Sequence, residues 1–296
     1  MYTLSDVNAD ACAKRLYSFI CDSYGKRIIS GVQECPGRRH HDLETDYLYT
    51  EVGKLPAIRG LDFIHDDYDG VVRRAREWHA RGGIVTICWH TGLVGNSYPA
   101  SKEEYPDFER LFTPGTGENA LLMSRWDRAA AALGELRSAG IPVLWRPFHE
   151  FDGQWFWWGK DGSASFRRLW RMMYEKFTND YRLHNLVWVY GYSGEVKPGW
   201  YAGDDVCDIV GSDNYDGTTN SAAWKRLLNV TDMPLAFHEV GKLSRIDDFV
   251  SDGCLWSWFM NWHTVYLKDE NTPERLREVY ADPRVITLDD VKGLQI

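Results

Sequence analysis

The chain has 296 residues, with 34 basic and 43 acidic side chains and a formal net charge of −9. This length suits one large domain, and an acidic chain without a basic stripe disfavours nucleic acid or an anionic membrane as a partner. No apolar run approaches the roughly eighteen residues of a membrane-spanning helix.

Short apolar runs alternate along the chain with loops and amphipathic stretches. Helical patterns follow the second, third and fourth runs, at residues 69–82, 124–140 and 165–181. This alternation with eight strands predicts an α/β fold, a (β/α)8 TIM barrel formed by residues 1–296 as a single catalytic domain. A doubly wound sheet is the alternative, but GVQECPGRRH after the first run is not a glycine-rich phosphate loop. The eight runs are RIISGVQ (27–33), LPAIRGLDF (55–63), GIVTICWH (83–90), IPVLWRPFHE (141–150), NLVWVYGY (185–192), CDIVGSDNY (207–215), PLAFHEVG (234–241) and CLWSWFMNWH (254–263).

Polar and ionisable residues collect at the carboxyl ends of these runs. In a barrel, those ends form the face on which active sites are built. The chain also contains 14 tryptophans, whose rings can fill the core or stack on the apolar faces of sugars. The pattern therefore predicts a functional site at this face. The residues are Asp62, His90, His149, Glu150, Asp213, Tyr215, His238, Glu239, Trp262 and His263.

Two runs, the fourth and the seventh, carry the same dipeptide, His-Glu, at or near their carboxyl ends. Strands four and seven lie across the barrel mouth from each other, and two carboxyl groups facing over a cleft are what glycoside hydrolysis needs. Glu150 lies in RPFHEFDGQWFWWGK (146–160), where six of fifteen residues are aromatic, so burial should keep it protonated as the acid/base. Glu239 should be held ionised by donors such as Tyr215 and by nearby cations, and would be the nucleophile.

A metal site is an alternative use of the same residues. His90, His149 and His238 could ligate a metal, but no H-x-H or H-E-x-x-H spacing occurs. We therefore expect neither a metal nor another cofactor. HDDYD (65–69) is interpreted as the start of a capped helix rather than a calcium loop, and RRHHD (38–42) as a solvated loop.

The six cysteines form no C-x-x-C pair, which disfavours a thiolate metal site. Three of them lie in apolar strand-like runs, where buried free thiols are expected. The other three, Cys12, Cys21 and Cys35, leave one disulfide open as an alternative to free thiols.

The segment RPFHEFDGQWFWWG resembles the signature of glycoside hydrolase family 26, best known for β-mannanases. GGIVTICWH, GWYAGDDVCDIVGSDNYD and PLAFHEVG resemble the strand 3, 6 and 7 blocks of that family, so the likeness runs from about residue 27 to 265. The resemblance implies a (β/α)8 barrel that retains anomeric configuration, with the acid/base after strand 4 and the nucleophile after strand 7. Those positions are Glu150 and Glu239.

The resemblance also implies six substrate-binding residues around the pair. Two histidines would contact the sugar in the cleaved subsite, a tyrosine would hydrogen-bond the nucleophile, two tryptophans would frame the catalytic sugar, and an arginine would support the barrel mouth. In that order they are His90 and His149, Tyr215, Trp155 and Trp262, and Arg146. The chain departs from the family pattern at WHTGLVGN after strand 3, followed by a long segment to about residue 119, which we expect to shape outer subsites.

These observations predict a retaining endo-β-1,4-mannanase that hydrolyses mannan, glucomannan or galactomannan by double displacement. The alternatives are a hydrolase of the same family acting on β-1,3-xylan or mixed-linkage β-glucan, an exo-acting mannobiose-releasing enzyme, and an inactive glycan-binding barrel. The expected partner is a β-mannan oligo- or polysaccharide, and the protein is expected to be a monomer. Because the polymer lies outside cells we expect secretion, although MYTLSDVNADACAKRL has no apolar signal core, which leaves an intracellular location open.

Overall fold

The architecture is a closed parallel barrel, seen in a computed structural model that describes residues 2–294. The first strand pairs with both the second and the eighth, which closes the sheet, and a short ninth strand adds to the first. The predicted (β/α)8 barrel is confirmed, and every predicted strand is present but shorter at one or both ends. The strands are β1 (Ile28–Gln33), β2 (Ile58–Asp62), β3 (Ile84–Trp89), β4 (Val143–Pro147), β5 (Leu186–Tyr192), β6 (Ile209–Asn214), β7 (Leu235–Val240), β8 (Trp258–Asn261) and β9 (Val285–Ile286).

Helices cover the outside of the barrel. The three helices predicted from the sequence are present, and the third continues into a π-helical turn at Lys176–Asp180. No helix within residues 2–294 is long and apolar enough to cross a membrane. The helices are α1 (Ala11–Ser23), α2 (Leu43–Val52), α3 (Tyr68–Ala80), α4 (Tyr98–Glu103), α5 (Phe108–Leu111), α6 (Gly117–Ser138), α7 (Trp157–Lys160), α8 (Ser163–Glu175), α9 (Ser221–Leu227), α10 (Ile246–Ser251), α11 (Val265–Lys268), α12 (Pro273–Ala281) and α13 (Leu288–Val291).

Most of the tryptophans pack the protein interior. Ten of the 14 are less than 2% exposed. Trp145 and Trp188 are register partners on β4 and β5, and Phe177 stacks on Trp145 with ring centroids 6.1 Å apart. The high aromatic content is therefore mainly a property of the core, and only a few rings remain available to a ligand.

The strands are buried along nearly their whole length, as expected when helices cover the outside and side chains fill the inside. The register shifts where β6 meets β7, between Ser212 and Asp213, and again between Phe237 and Val240 where β7 meets β8. Such irregularities re-aim side chains and are common beside active sites. Here they fall at the ends of the strands that carry Asp213 and Glu239.

Two polar loops differ in detail from the prediction. Helix α3 begins at Tyr68 as expected, but the Asp67 side chain does not cap it and instead accepts hydrogen bonds from Arg74. RRHHD is mainly exposed, although Asp42 accepts a hydrogen bond from the buried Arg59. All six cysteines are free thiols, so the disulfide alternative is not formed.

Candidate active site

A cavity of about 660 Å³ opens at the carboxyl ends of the strands. Six of the eight predicted site residues line it, and the other two, His149 and Arg146, lie beneath it as buried side chains. The structure therefore brings the predicted site residues together at one face of the barrel. The residues lining the cavity are Gln33, Cys35, Pro36, Asp62, Ile64, His65, His90, Tyr98, Lys102, Glu150, Trp155, Phe156, Tyr215, Glu239, Trp262, His263 and Tyr266.

The segment after β4 adopts an unusual backbone. Three of its non-glycine residues are left-handed: Phe148 (φ 50°), Glu150 (φ 53°) and Gln154 (φ 62°). Such residues are rare and cluster at functional sites, where the surrounding structure holds them in place. Here the Glu150 N–H donates to the Gly191 carbonyl at 2.8 Å, and the Trp158 indole donates to the His149 carbonyl at 2.8 Å.

Glu150 lines the cavity against an aromatic neighbour. Burial raises the pKa of its carboxyl, while the hydrogen bond from the Trp155 indole to Oε2, at 2.9 Å, acts in the opposite direction. Trp155 itself is 37% exposed, whereas Trp157 and Trp158 are fully buried and pack beneath the loop. A carboxyl group with a raised pKa can hold its proton near neutrality, which a general acid requires.

Glu239 lies on β7 and is only 2% exposed. Tyr215 donates its hydroxyl to Oε2 at 2.7 Å, and the Arg146 guanidinium lies 3.7 Å from Oε1. Burial, then repulsion from Glu150, raise the pKa of Glu239 to about 8 against the effects of Arg146 and Tyr215. The expected donors are thus present, but burial outweighs them. Because repulsion from Glu150 contributes, protonation of Glu150 favours the ionised form of Glu239, so the pair titrates together.

Arg146 is the central side chain beneath the cavity, and it is fully buried. Its Nε donates to the Thr86 hydroxyl at 3.1 Å, and its Nη2 donates to Gln33 Oε1 at 3.1 Å. Its Nη1 lies 2.9 Å from His238 Nε2 and donates to the His238 carbonyl at 3.3 Å. One cation from β4 therefore joins β1, β3 and β7 directly below Glu239.

Asp213 is a third buried carboxyl group at the site. Its Oδ1 lies 2.6 Å from His238 Nδ1. Burial, followed by repulsion from Glu239 and Glu150, raises the pKa of Asp213 well above its usual range. Burial and Arg146 lower the pKa of His238, so His238 is neutral and accepts from Arg146 while donating to Asp213. From the sequence, Asp213 was identified only as one of the polar residues at the strand ends and not as a site residue. The signal that could have identified it was its position two residues before Tyr215.

A second buried chain of polar groups runs from Asp62 to His149. Asp62 Oδ2 lies 2.6 Å from His90 Nδ1, and Oδ1 accepts the backbone N–H groups of His90 and Ile64. Burial opposes a charge on His90, but Asp62 outweighs it and raises the pKa of His90. Burial and the neighbouring His90 lower the pKa of His149, whose Nε2 lies 3.2 Å from His90 Nε2 and 3.6 Å from Glu239.

The three-histidine metal site is not formed. His90 and His149 adjoin each other, but both ring nitrogens of His238 face Asp213 and Arg146 instead. Within residues 2–294, the groups with metal-ligand spacing are two clusters with one imidazole each: Asp62, Cys88 and His90, and Asp213, His238 and Glu239. Both nitrogens of His90 already have partners in Asp62 and His149, and both nitrogens of His238 have partners in Asp213 and Arg146. Burial also raises the pKa of the Cys88 thiol, so neither cluster suits a cation.

Several cavity residues were not identified from the sequence. Tyr98, at the start of α4, is 48% exposed and its ring lies 5.4 Å from that of His90, with the Lys102 ammonium 5.4 Å from the Tyr98 ring. The long segment after β3 thus borders the cavity. Gln33 and Tyr266 were also missed, because an uncharged residue ending a strand and a tyrosine in a short helix carry no distinctive sequence signal.

A (β/α)8 barrel with two glutamic acids from strands 4 and 7, in a cavity bordered by aromatic rings, has the arrangement of a glycoside hydrolase. The model of glycosyl hydrolase family 26 matches residues 5–290. The chain belongs to this family.

Its relatives carry mannanase names. A mannan endo-1,4-β-mannosidase of Thermothelomyces thermophilus is 32% identical, over 99% of this chain and 64% of that protein. The crystal structure of the Podospora anserina GH26-CBM35 β-(1,4)-mannanase superposes with a TM-score of 0.90 at 32% identity, over 100% of this chain and 70% of the other. The β-mannanase from a symbiotic protist of the termite Reticulitermes speratus, complexed with gluco-manno-oligosaccharide, superposes with a TM-score of 0.89 at 29% identity, over 98% of both chains.

The curated relatives are longer than this chain, which spans 64%, 54% and 51% of three of them.

Proposed function

We propose that this protein is a retaining endo-β-1,4-mannanase that hydrolyses mannan, glucomannan or galactomannan by double displacement. The observation that carries the proposal is the placement of Glu150, just after β4, and Glu239, on β7, in one cavity bordered by aromatic rings. The mannanase names of the relatives support the choice of polysaccharide. The gluco-manno-oligosaccharide bound to the termite-symbiont enzyme fits a substrate of the same class.

In the first step, Glu150 protonates the leaving oxygen while Glu239 attacks the anomeric carbon. Tyr215 donates its hydrogen bond to Glu239 Oε2, whereas Oε1 accepts no hydrogen bond within residues 2–294. Oε1 is therefore the oxygen that attacks. In the second step, the ionised Glu150 takes a proton from water while the water oxygen attacks the anomeric carbon, which breaks the bond to Glu239 and releases the product. Glu150 must therefore be protonated while Glu239 is an ionised carboxylate, and ionised once Glu239 is bonded to the sugar, as expected of a coupled pair.

The two glutamate roles can be tested with aryl β-mannobiosides of different leaving-group acidity. Glu239→Ala should abolish turnover of every substrate. Glu150→Ala should retain kcat/KM, which reports the first step, on substrates whose leaving group needs no protonation, while its kcat falls because Glu150 is also the base of the second step. The exposed Glu274, which lies on α12, provides a matched control as Glu274→Ala and should keep full activity. A Glu239→Ala enzyme with a tenth of the wild-type rate would place the nucleophile elsewhere.

The substrate is tested by comparing hydrolysis of mannan, β-1,3-xylan and lichenan. Internal cleavage should give a mixture of products from mannohexaose and a rapid fall in the viscosity of galactomannan, whereas release of mannobiose alone would indicate exo action. The proposal also includes secretion, because the polymer lies outside cells, and a monomeric protein, which light scattering can measure.

A further inference from the structure

Gln33 ends β1 and borders the catalytic cavity while being only 1% exposed. Its Oε1 accepts a hydrogen bond from Arg146 Nη2 at 3.1 Å. A guanidinium has donors and no acceptor, so the amide must present its oxygen to Arg146 and its nitrogen away from it. That nitrogen, Nε2, is buried and donates to no group within residues 2–294.

The Gln33 amide is held in place by its neighbour in the sheet. Gln33 and Gly60 are register partners on β1 and β2, and a Cβ added to Gly60 would lie 2.1 Å from Gln33 Oε1. The absence of a side chain at Gly60 therefore creates the space in which the amide lies. Gly60 and Arg146 together fix the carbonyl end of the amide, and the described part of the chain offers its N–H donors no acceptor.

A buried donor without an acceptor is unfavourable, and native proteins seldom keep one unless a ligand or water supplies the acceptor. Because Gln33 borders the cavity that also holds Glu150 and Glu239, the acceptor can come from a bound sugar. An amide adds no charge beside the two carboxyl groups, which suits a neutral hydroxyl oxygen. The link through Arg146 also places this contact one side chain away from Glu239.

We propose that Gln33 is a substrate-binding residue whose Nε2 donates a hydrogen bond to one hydroxyl of the sugar at the cleavage site. The proposal rests on the proposed glycosidase function and adds a specificity contact from β1. It also distinguishes Gln33 from Arg146 and Thr86, which lie below the cavity and act through other side chains.

The test uses aryl β-mannobiosides in which the glycone sugar at the cleavage site lacks the hydroxyl at position 2, 3 or 6. Gln33→Met removes the donor, and Gln33→Glu removes it while keeping an acceptor for Arg146. On the parent substrate both variants should lose about 10- to 100-fold in kcat/KM. One of the three deoxy substrates lacks the hydroxyl that Gln33 contacts, and the wild type should cleave it less well than the parent. On that substrate the variants should have nearly the same kcat/KM as the wild type.

Thr86→Val is the matched control, because Thr86 is another acceptor for Arg146 but does not border the cavity. Its loss in kcat/KM should be the same on the parent and on all three deoxy substrates. If the Gln33 variants likewise lose the same factor in kcat/KM on the parent and on every deoxy substrate, Gln33 only supports Arg146 and the proposal is wrong. Failure of the proposed function is seen separately, as inactivity of the wild type on β-mannosides; the same deoxy series can then be made from any aryl glycoside that it cleaves.

Discussion

The hydrogen bond from Tyr215 to Glu239 should set the acid limb of the pH–activity profile. Tyr215→Phe removes the hydroxyl that lies 2.7 Å from Glu239 Oε2 and keeps the ring. This hydroxyl stabilises the ionised carboxylate and lowers its pKa, so its loss raises that pKa. A hydrogen bond to a charged group contributes about 1.5–3 kcal/mol, and about 1.4 kcal/mol corresponds to one pKa unit. We expect a rise of about 1–2 units, towards the lower value because Arg146 remains.

The assay is kcat/KM as a function of pH on an aryl β-mannobioside, which reports the ionisations of the free enzyme. The nucleophile must be ionised, so the acid limb should move to higher pH by the same amount, with the smallest loss of activity on the alkaline side. Tyr266→Phe is the control, because Tyr266 borders the same cavity and its ring lies 4.8 Å from that of Tyr215. An unchanged acid limb in Tyr215→Phe, or a shift to lower pH, would refute this account of Glu239.

Three further predictions concern stability and metal dependence. Arg59→Met removes one of the two arginines bonded to the buried Glu34 and should lower the free energy of unfolding by about 3 kcal/mol, or Tm by about 5 °C. Adding Glu34→Gln to this variant should recover part of the loss. No loss of stability in Arg59→Met alone would contradict this. Phe166→Ala removes the ring stacked 4.2 Å from Phe151 and should lower the free energy of unfolding, measured by chemical denaturation, by about 3–5 kcal/mol. A loss below about 1 kcal/mol would contradict this, because it would mean that neighbouring side chains fill the cavity. Dialysis against a chelator should leave mannan hydrolysis unchanged, because the imidazole nitrogens of both candidate clusters are already bonded; lost activity restored by a divalent metal would overturn that view.

The fold and the position of the candidate site could be predicted from the sequence because both depend on periodic patterns. Eight apolar runs with helices between them define a barrel, and polar residues at the run ends mark the face where ligands bind. The two His-Glu dipeptides carried this information most clearly. In the structure, Glu150 and Glu239 border the same cavity, as their strand positions require.

Features that depend on backbone detail could not be predicted in the same way. Nothing in RPFHEFDGQ indicates that Phe148 and Glu150 adopt left-handed conformations, since neither residue type favours them. The role of Gln33 depends on the missing side chain at Gly60, a neighbour that only strand register reveals. The tryptophan content was a weak guide to the site, because most of the tryptophan side chains pack in the core.

The buried Arg146 has a consequence for how this barrel can diversify. The positive charge nearest Glu239 comes from a strand and is bonded to three other strands, so none of the surface loops supplies it. Loops such as the long segment after β3 can then gain, lose or exchange residues without altering the electrostatic support of Glu239. Libraries aimed at new polysaccharides should therefore tolerate variation at the exposed residues of this segment, such as Val94, Tyr98 and Tyr105. Arg146 and the three side chains bonded to it, Thr86, Gln33 and His238, should accept almost none.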